Sequence, residues 1–342
     1  MLEASRNIPS ISNVCAGTPP PHFALDDESK IVLAQPSALD PAGNNLSRLR
    51  QLLPAARQAA DNLAEALAAT NAFPELKRSV ASYRAAIDTE AEAVAWGTVF
   101  GFGVILESAA AAAERPEPAD QMRPRLEDAP KSSLDALLAI HGPLILATGE
   151  GRELTEESDR FALAPDIQSS LRADATEVAR RLASDARVTD PSAGTLVLDA
   201  AEVIGQGTRP NRGAVFGLAT FGHAATLLIP GAAVATFAAW AGAEPGAVVT
   251  MAAGLVLRES DRVKEAARVL GGGYDRLVDT ARDQAGLVRA QAVARLRNLT
   301  PSRDFVLTNA APLSRIAANS PRLRWMQWYI DFIMRSYGGR VP

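Results

Sequence analysis

A chain of 342 residues is long enough for one large domain or two ordinary ones. Ala, Leu and Arg dominate, aromatics make up 5% and the net charge is −4, so good helix formers abound and the total charge gives no reason to expect nucleic acid. Cys15, the single cysteine, excludes an intramolecular disulfide and fits a reducing compartment.

Residues 1–44 begin MLEASRNIPSISNVCAG, without a basic region followed by an apolar run, so a secretory signal is not expected. PPPHF, LDDES and DPAGNN read as a mobile arm, with the short apolar island Ile31–Ala34 as one candidate strand. Asn45 then caps LSRLRQLLPAARQAADNLAEAL, in which Leu46, Leu49, Leu52, Leu53, Ala56, Ala60, Leu63 and Leu67 share one face. Pro54 is expected to kink or restart this helix. A second helix opens at Pro74 and is expected to run as far as the AAAAAER stretch. Its part from Ala93 to Leu106 is apolar on all sides, but fourteen residues reach only about 21 Å, so buried core is the better reading.

Pro116 to Lys131 reads as a linker between two units, residues 45–115 and residues 132–342. SSLDALLAIHGPLIL follows as a capped helix interrupted at Gly142-Pro143, and Pro165 to Asp185 is amphipathic, with Ile167, Leu171, Ala175, Val178 and Leu182 on one stripe. TLVLDAAEVI is as readily helix as strand. Arg258 to Leu270 and Tyr274 to Leu299 are charged or amphipathic helices separated by Gly271-Gly272-Gly273. The expected fold class is all-α: a multi-helix bundle with a long Ala/Gly-rich apolar hairpin at 213–257 and a mobile N-terminal arm.

Charge is distributed unevenly. Residues 1–212 carry 20 Lys/Arg against 30 Asp/Glu, and residues 213–342 carry 15 against 9. The basic excess falls mainly after Gly286 and suits an anionic partner or membrane surface, or simply a solvated basic helix face. Arg outnumbers Lys and Ala is abundant, which fits a GC-rich bacterial genome.

No chemical motif of comparable strength emerges. The three histidines, His22, His141 and His223, stand far apart, outside HExxH or zinc spacing. GxSxG and GxxxxGK[ST] are absent, and GQGTRPNRG, Gly205 to Gly213, lacks the third glycine of the dinucleotide fingerprint. Loop glycines are the better account of it. Glu156/Glu157 and Glu150/Glu153 lie near helix starts, where the dipole favours them. No catalytic, metal or cofactor residue is assigned, and the sequence leans away from an enzyme. A deep cavity lined by convergent Asp, Glu, Arg and His would favour one.

The dominant feature is the apolar block from Gly213 to Leu257, whose ionisable residues are His223 and Glu244. Its first arm, to Ala243, is long enough to cross a bilayer, while the return arm from Gly246 reaches only about 18 Å. Pro230-Gly231 is expected to divide the first arm. Small residues recur at Gly213/Gly217, Gly231/Ala235/Ala239 and Gly246/Thr250/Gly254, a spacing that lets helix backbones approach closely in lipid. Basic residues flank both ends, and Trp240 lies near the tip, as an interfacial aromatic would. Against this, Ala and Gly give weak insertion energy, and a helix apolar all round is equally the central helix of a soluble bundle. A third reading is a form that switches between the two.

The final segment, PRLRWMQWYIDFIMRSYGG, bears on the same choice. Its apolar face adjoins Trp325 and Trp328, with Arg322, Arg324 and Arg335 flanking, which suits a helix lying among lipid headgroups. The alternative is a packed terminal helix whose tryptophans fill the core. The expected function is a non-enzymatic membrane-associated protein with a docking or effector role, on the cytoplasmic side of the inner membrane. A soluble cytoplasmic scaffold or adaptor is the alternative, and an enzyme with a hidden site the third. Membrane lipid is the expected partner; a protein partner or self-association is left open, and nucleic acid is not expected.

Overall fold

The computed structural model describes residues 23–34, 43–70, 72–114, 126–241 and 300–337, with side-chain surroundings in the long apolar helix given through Ile229 and at Ala232. Eleven α-helices and one short hairpin are present among these residues, and the protein is an all-α multi-helix bundle. The hairpin pairs β1 (Phe23–Leu25) with β2 (Ile31–Leu33), Ala24 opposite Val32. Asp26 Oδ1 fixes the turn by accepting from the amides of Glu28 (2.9 Å) and Lys30 (2.8 Å). The hairpin lies within the segment read as an arm, yet it is docked. Ile31, 1% exposed, donates its amide to Val188 O and accepts from the Asp190 amide, both at 2.9 Å.

Helix α1 (Leu46–Ala68) starts at Asn45, whose Oδ1 accepts from the Arg48 amide at 3.1 Å, and it buries Leu49, Leu53, Ala56, Ala60, Leu63 and Leu67. It continues through Pro54 rather than restarting there. The expected long second helix is instead two. Helix α2 (Pro74–Ile87) ends where Arg57 reaches across from α1, its Nε donating to Ile87 O at 2.8 Å and its Nη2 to Thr89 O. Those bonds satisfy carbonyls that a continuing helix would have used itself. Helix α3 (Trp96–Glu114) begins with a buried Trp96 whose Nε1 donates back to Ala91 O at 3.1 Å.

Helix α4 (Asp128–Leu146) begins inside the expected linker, with Pro130 in its first turn, where no amide partner is missed. It also runs through Gly142-Pro143 without interruption. Helix α5 (Gly149–Arg160) leaves α4 at a bend of 104° and is capped by Thr148, whose Oγ1 accepts from the Gly151 amide at 2.9 Å. Helix α6 (Pro165–Ser184) buries the predicted Leu171, Ala175, Val178 and Leu182, with Ile167 half-buried. TLVLDAAE resolves as helix α7 (Pro191–Glu202), not strand. Gly205 and Gly207 then turn the chain at φ 68° and 81° into helix α8 (Pro210–Ala241).

After residue 300 come α9 (Thr300–Thr308), α10 (Ala310–Asn319), a 3₁₀ turn at Pro321–Leu323 and α11 (Trp325–Tyr337). Helix α1 lies chiefly along α4, α2 along α3, and α6 along α7, while α8 is gripped by α7, α9, α11 and α5. Residues on both sides of the expected linker therefore share one buried cluster: Leu49 and Val99 belong to it as do Leu137, Val197 and Ile330. Polar ties reinforce it. Asp174, 7% exposed, accepts from Arg315 Nε at 2.9 Å, joining α6 to α10, and Arg181 Nη1 donates to Asn309 Oδ1 at 2.9 Å.

Candidate functional site

The described part of the apolar block, up to Ala241, is a single continuous helix. Helix α8 carries through Pro230-Gly231 to Ala241, so those residues do not divide the arm. Its first half is interior: Ala214, Val215, Phe216, Leu218, Phe221 and Ile229 are each at most 2% exposed. Gly213 and Gly217 make the close approach their small size suggested. A Cβ on Gly213 would overlap the carbonyl oxygen of Val203, and one on Gly217 would overlap Ala200 O and the Ile204 side chain. Their partners are the end of α7 and the following turn, inside the protein. Gly231, Ala235, Ala239 and Trp240 lie along the distal part of α8. Gly246 and Gly254, the return arm and the helices expected over 258–270 and 274–299 lie outside the described residues.

Two helices among the described residues are long and apolar enough to cross a membrane, Trp96–Glu114 and the stretch Pro210–Ile229 of α8. The bent pair α4 and α5 would make a third if it acted as one broken span. The Ala93–Leu106 window, read as too short, thus belongs to a 19-residue helix that meets the length requirement. Both stretches are nonetheless covered by protein, 56% of the first and 72% of the second being buried.

The terminal helix is packed rather than spread on a surface. Trp325, Met326, Tyr329, Ile330 and Ile333 are buried, against α8, α10 and α9, and Trp325 and Trp328 meet Tyr329 edge-on at 5.9 and 4.8 Å. Trp328 is half-buried and stacks on Phe332 at 6.0 Å, while Met334 is 40% exposed. Arg322 forms an ion pair with Glu157 of α5, and burial pushes its guanidinium below its usual range. Arg324 is exposed, and Arg335 Nε donates to Asp331 O at 3.1 Å. Of the three arginines expected at an interface, Arg322 is thus engaged inside the fold.

The feature that sequence reasoning missed is a cleft of about 520 Å³ between α2, α3, α6 and α7. Its apolar lining comes from Ile105, Ala109 and Ala112 of α3 and Val203 after α7. One wall is Arg172, Thr176 and Arg180, spaced one turn apart on α6, which puts the two guanidinium-bearing positions about 12 Å apart along the axis. Glu75 and Arg78 of α2 with Asp199 and Glu202 of α7 supply the acidic side. Asp199, 6% exposed, accepts from Arg78 Nη2 at 2.7 Å. Burial nevertheless pushes its carboxyl up to about 6, since desolvation outweighs the Arg78 charge and Glu202 and Glu75 add repulsion.

Arg172 Nη1 donates to Ile204 O at 3.2 Å, and Glu177, which also lines the α6 side, is paired with Arg181 (2.7 Å) and Arg315 (3.8 Å). Ser108 and Thr176 add hydroxyls to the walls. The lining combines Asp, Glu and Arg but includes no histidine among the described residues: His141 is 6% exposed in the core, sharing a hydrogen bond with Tyr83. The only sequence trace of the cleft is the four-residue spacing of Arg172, Thr176 and Arg180, on the polar side of a helix recognised by its apolar stripe. No protein-family model, no curated protein and no solved structure matches this chain.

Proposed function

We propose that this is a non-enzymatic, membrane-associated helical protein of docking or effector type. The bundle is its body, and the apolar block continuing from α8 through 257 engages the bilayer. The observation that supports this is the form of α8. Its first 20 residues are apolar enough to span and are held by the bundle, while the same rod continues with AWA and the sequence stays apolar to Leu257. Basic residues at both ends of the block, Arg209 and Arg212 before it and Arg258 and Arg262 after, fit a hairpin with both bases on the cytoplasmic side of the inner membrane.

The test is fractionation with a substitution. The wild-type chain is expected to sediment with membranes, to resist high salt and alkaline carbonate, and to come off in detergent. Ala235→Arg, placed beyond the buried half of α8, is expected to lower insertion by about 2–3 kcal/mol and release protein to the soluble fraction. A soluble, monodisperse wild type without liposome binding would overturn the proposal.

A second reading has its own support, the 72% burial of the Pro210–Ile229 stretch. On it the chain is a soluble scaffold, α8 is the central helix, and Ala235→Arg aggregates or unfolds the protein instead of solubilising it. The charged cleft is the place where an enzyme reading would have to put its chemistry.

A further inference from the structure

The arginines of α6 and the carboxylates of α2 and α7 line the cleft without pairing across it, and the one carboxylate on the α6 side, Glu177, is already paired with Arg181 and Arg315. Arg172 and Arg180 stand on the α6 wall, Glu75 and Glu202 on the other side, yet among the described residues no ion pair within 4.0 Å joins these walls. Arg180 has no hydrogen-bond or ion-pair partner among the described residues, and Arg172 spends one of its donors on a backbone carbonyl. The acidic side holds three carboxylates, Asp199, Glu202 and Glu75, and Arg78 is paired with Asp199.

We propose that this cleft binds a small amino-acid-like zwitterion, its ammonium held by Glu202 and Glu75 and its carboxylate by Arg180 and Arg172. Such a molecule completes the bridge that the walls leave open. A single cation would satisfy one wall and repel the other, and so would a single anion. The apolar lining of Ile105 and Ala109 receives a short hydrocarbon body, and a volume of about 520 Å³ is in the range of small-molecule sites. Guanidinium forks on one helix face suit a carboxylate, which they hold by paired N–H bonds. The proposal rests on α2, α3, α6 and α7 alone and is independent of whether the apolar block meets a membrane.

Isothermal titration calorimetry on the full-length chain tests it with a panel of free α-amino acids and dipeptides, each beside its N-acetylated and its C-amidated form. Saturable binding of at least one free zwitterion is expected, weakened about tenfold or more by either blocking group, because each removes one charged contact. Arg180→Gln is expected to abolish the discrimination against the amide, and Glu202→Gln the discrimination against the N-acetyl form. Both positions are exposed, so the variants should keep the wild-type melting temperature, which is measured alongside. No binding of any zwitterion up to about 10 mM would overturn the proposal. So would blocked forms that bind as well as free ones, or binding that survives both substitutions unchanged.

Discussion

Tyr83 Oη and His141 Nδ1 lie 3.0 Å apart in the core, with their rings edge-on at 5.5 Å, so one hydrogen bond joins α2 to α4 across the segment expected to be a linker. Both side chains are buried, Tyr83 completely, and burial raises the phenol far above its usual range. A polar pair in such a place stabilises only while both members are satisfied. Tyr83→Phe leaves His141 Nδ1 without this partner and is expected to cost about 1–3 kcal/mol. Thermal denaturation should register the loss as a fall of several degrees; an unchanged midpoint would show that the imidazole finds another partner.

A sharper steric test lies where α8 meets the turn after α7. Gly213→Ala would drive its methyl group into the backbone carbonyl of Val203, and Gly217→Ala into that of Ala200. Backbone cannot step aside as a flexible side chain does, so the helices must separate and lose buried contact. Each substitution is expected to destabilise by about 1–3 kcal/mol, opposite in sign to the modest gain that Gly→Ala gives in an open helix. Urea denaturation in which either variant matches or exceeds the wild type would contradict the close approach.

Asp199 makes a pH-dependent contribution whose sign is fixed by its raised pKa. Well below pH 3.8 the carboxyl is protonated in both folded and unfolded chains and costs nothing. Its ordinary value is 3.8 and its value in the fold about 6, so stability declines as pH rises through that window and stays lower above it. A difference of about two units corresponds to about 3 kcal/mol. Asp199→Asn should flatten most of this limb in a stability profile taken from pH 4 to 7. An identical limb in the variant would assign the effect to other groups.

Arg322 and Arg324, two residues apart, should respond differently. Arg322→Gln breaks the pair with Glu157, a partly buried carboxylate, and is expected to cost about 1–2 kcal/mol. Arg324→Gln removes an exposed charge and should leave the melting temperature within a degree or so. Binding to anionic liposomes offers the converse reading, since only a charge that faces outward adds to surface attraction. If both variants lose liposome binding equally and neither melts earlier, the terminal helix is not seated as described.

The helices that were legible in the sequence are those whose boundaries are written locally. Asn45 with its apolar stripe, Pro74 and Pro165 at first turns, and the Leu171–Leu182 face all carry their own signals. The break between α2 and α3 does not, because nothing in IDTEAEAVAW forbids helix. It is made by Arg57 from α1 and by the Trp96 indole, contacts that exist only once the chain is folded. Pro143 misleads in the opposite direction, and Pro54 does not restart its helix, since packing on either side carries the helix past a missing hydrogen bond. The cleft was hidden for a related reason: Arg78 and Asp199 are 121 residues apart in the chain, and no spacing shows which polar face will look toward which.

The unbroken course of α8 joins the apolar block directly to the neighbourhood of the cleft. A rod of 32 residues is about 48 Å long, and the part held by the bundle is the part nearest the cleft. Near its start Gly213 sits against the carbonyls of Val203 and Gln206, and those two residues are also part of the cleft's lining. A substitution that disturbs how α8 is seated at Gly213 is therefore expected to alter the lining of the charged cleft as well. Substitutions at Val203 or Gln206 are for the same reason expected to disturb the seat of α8 and the cleft together.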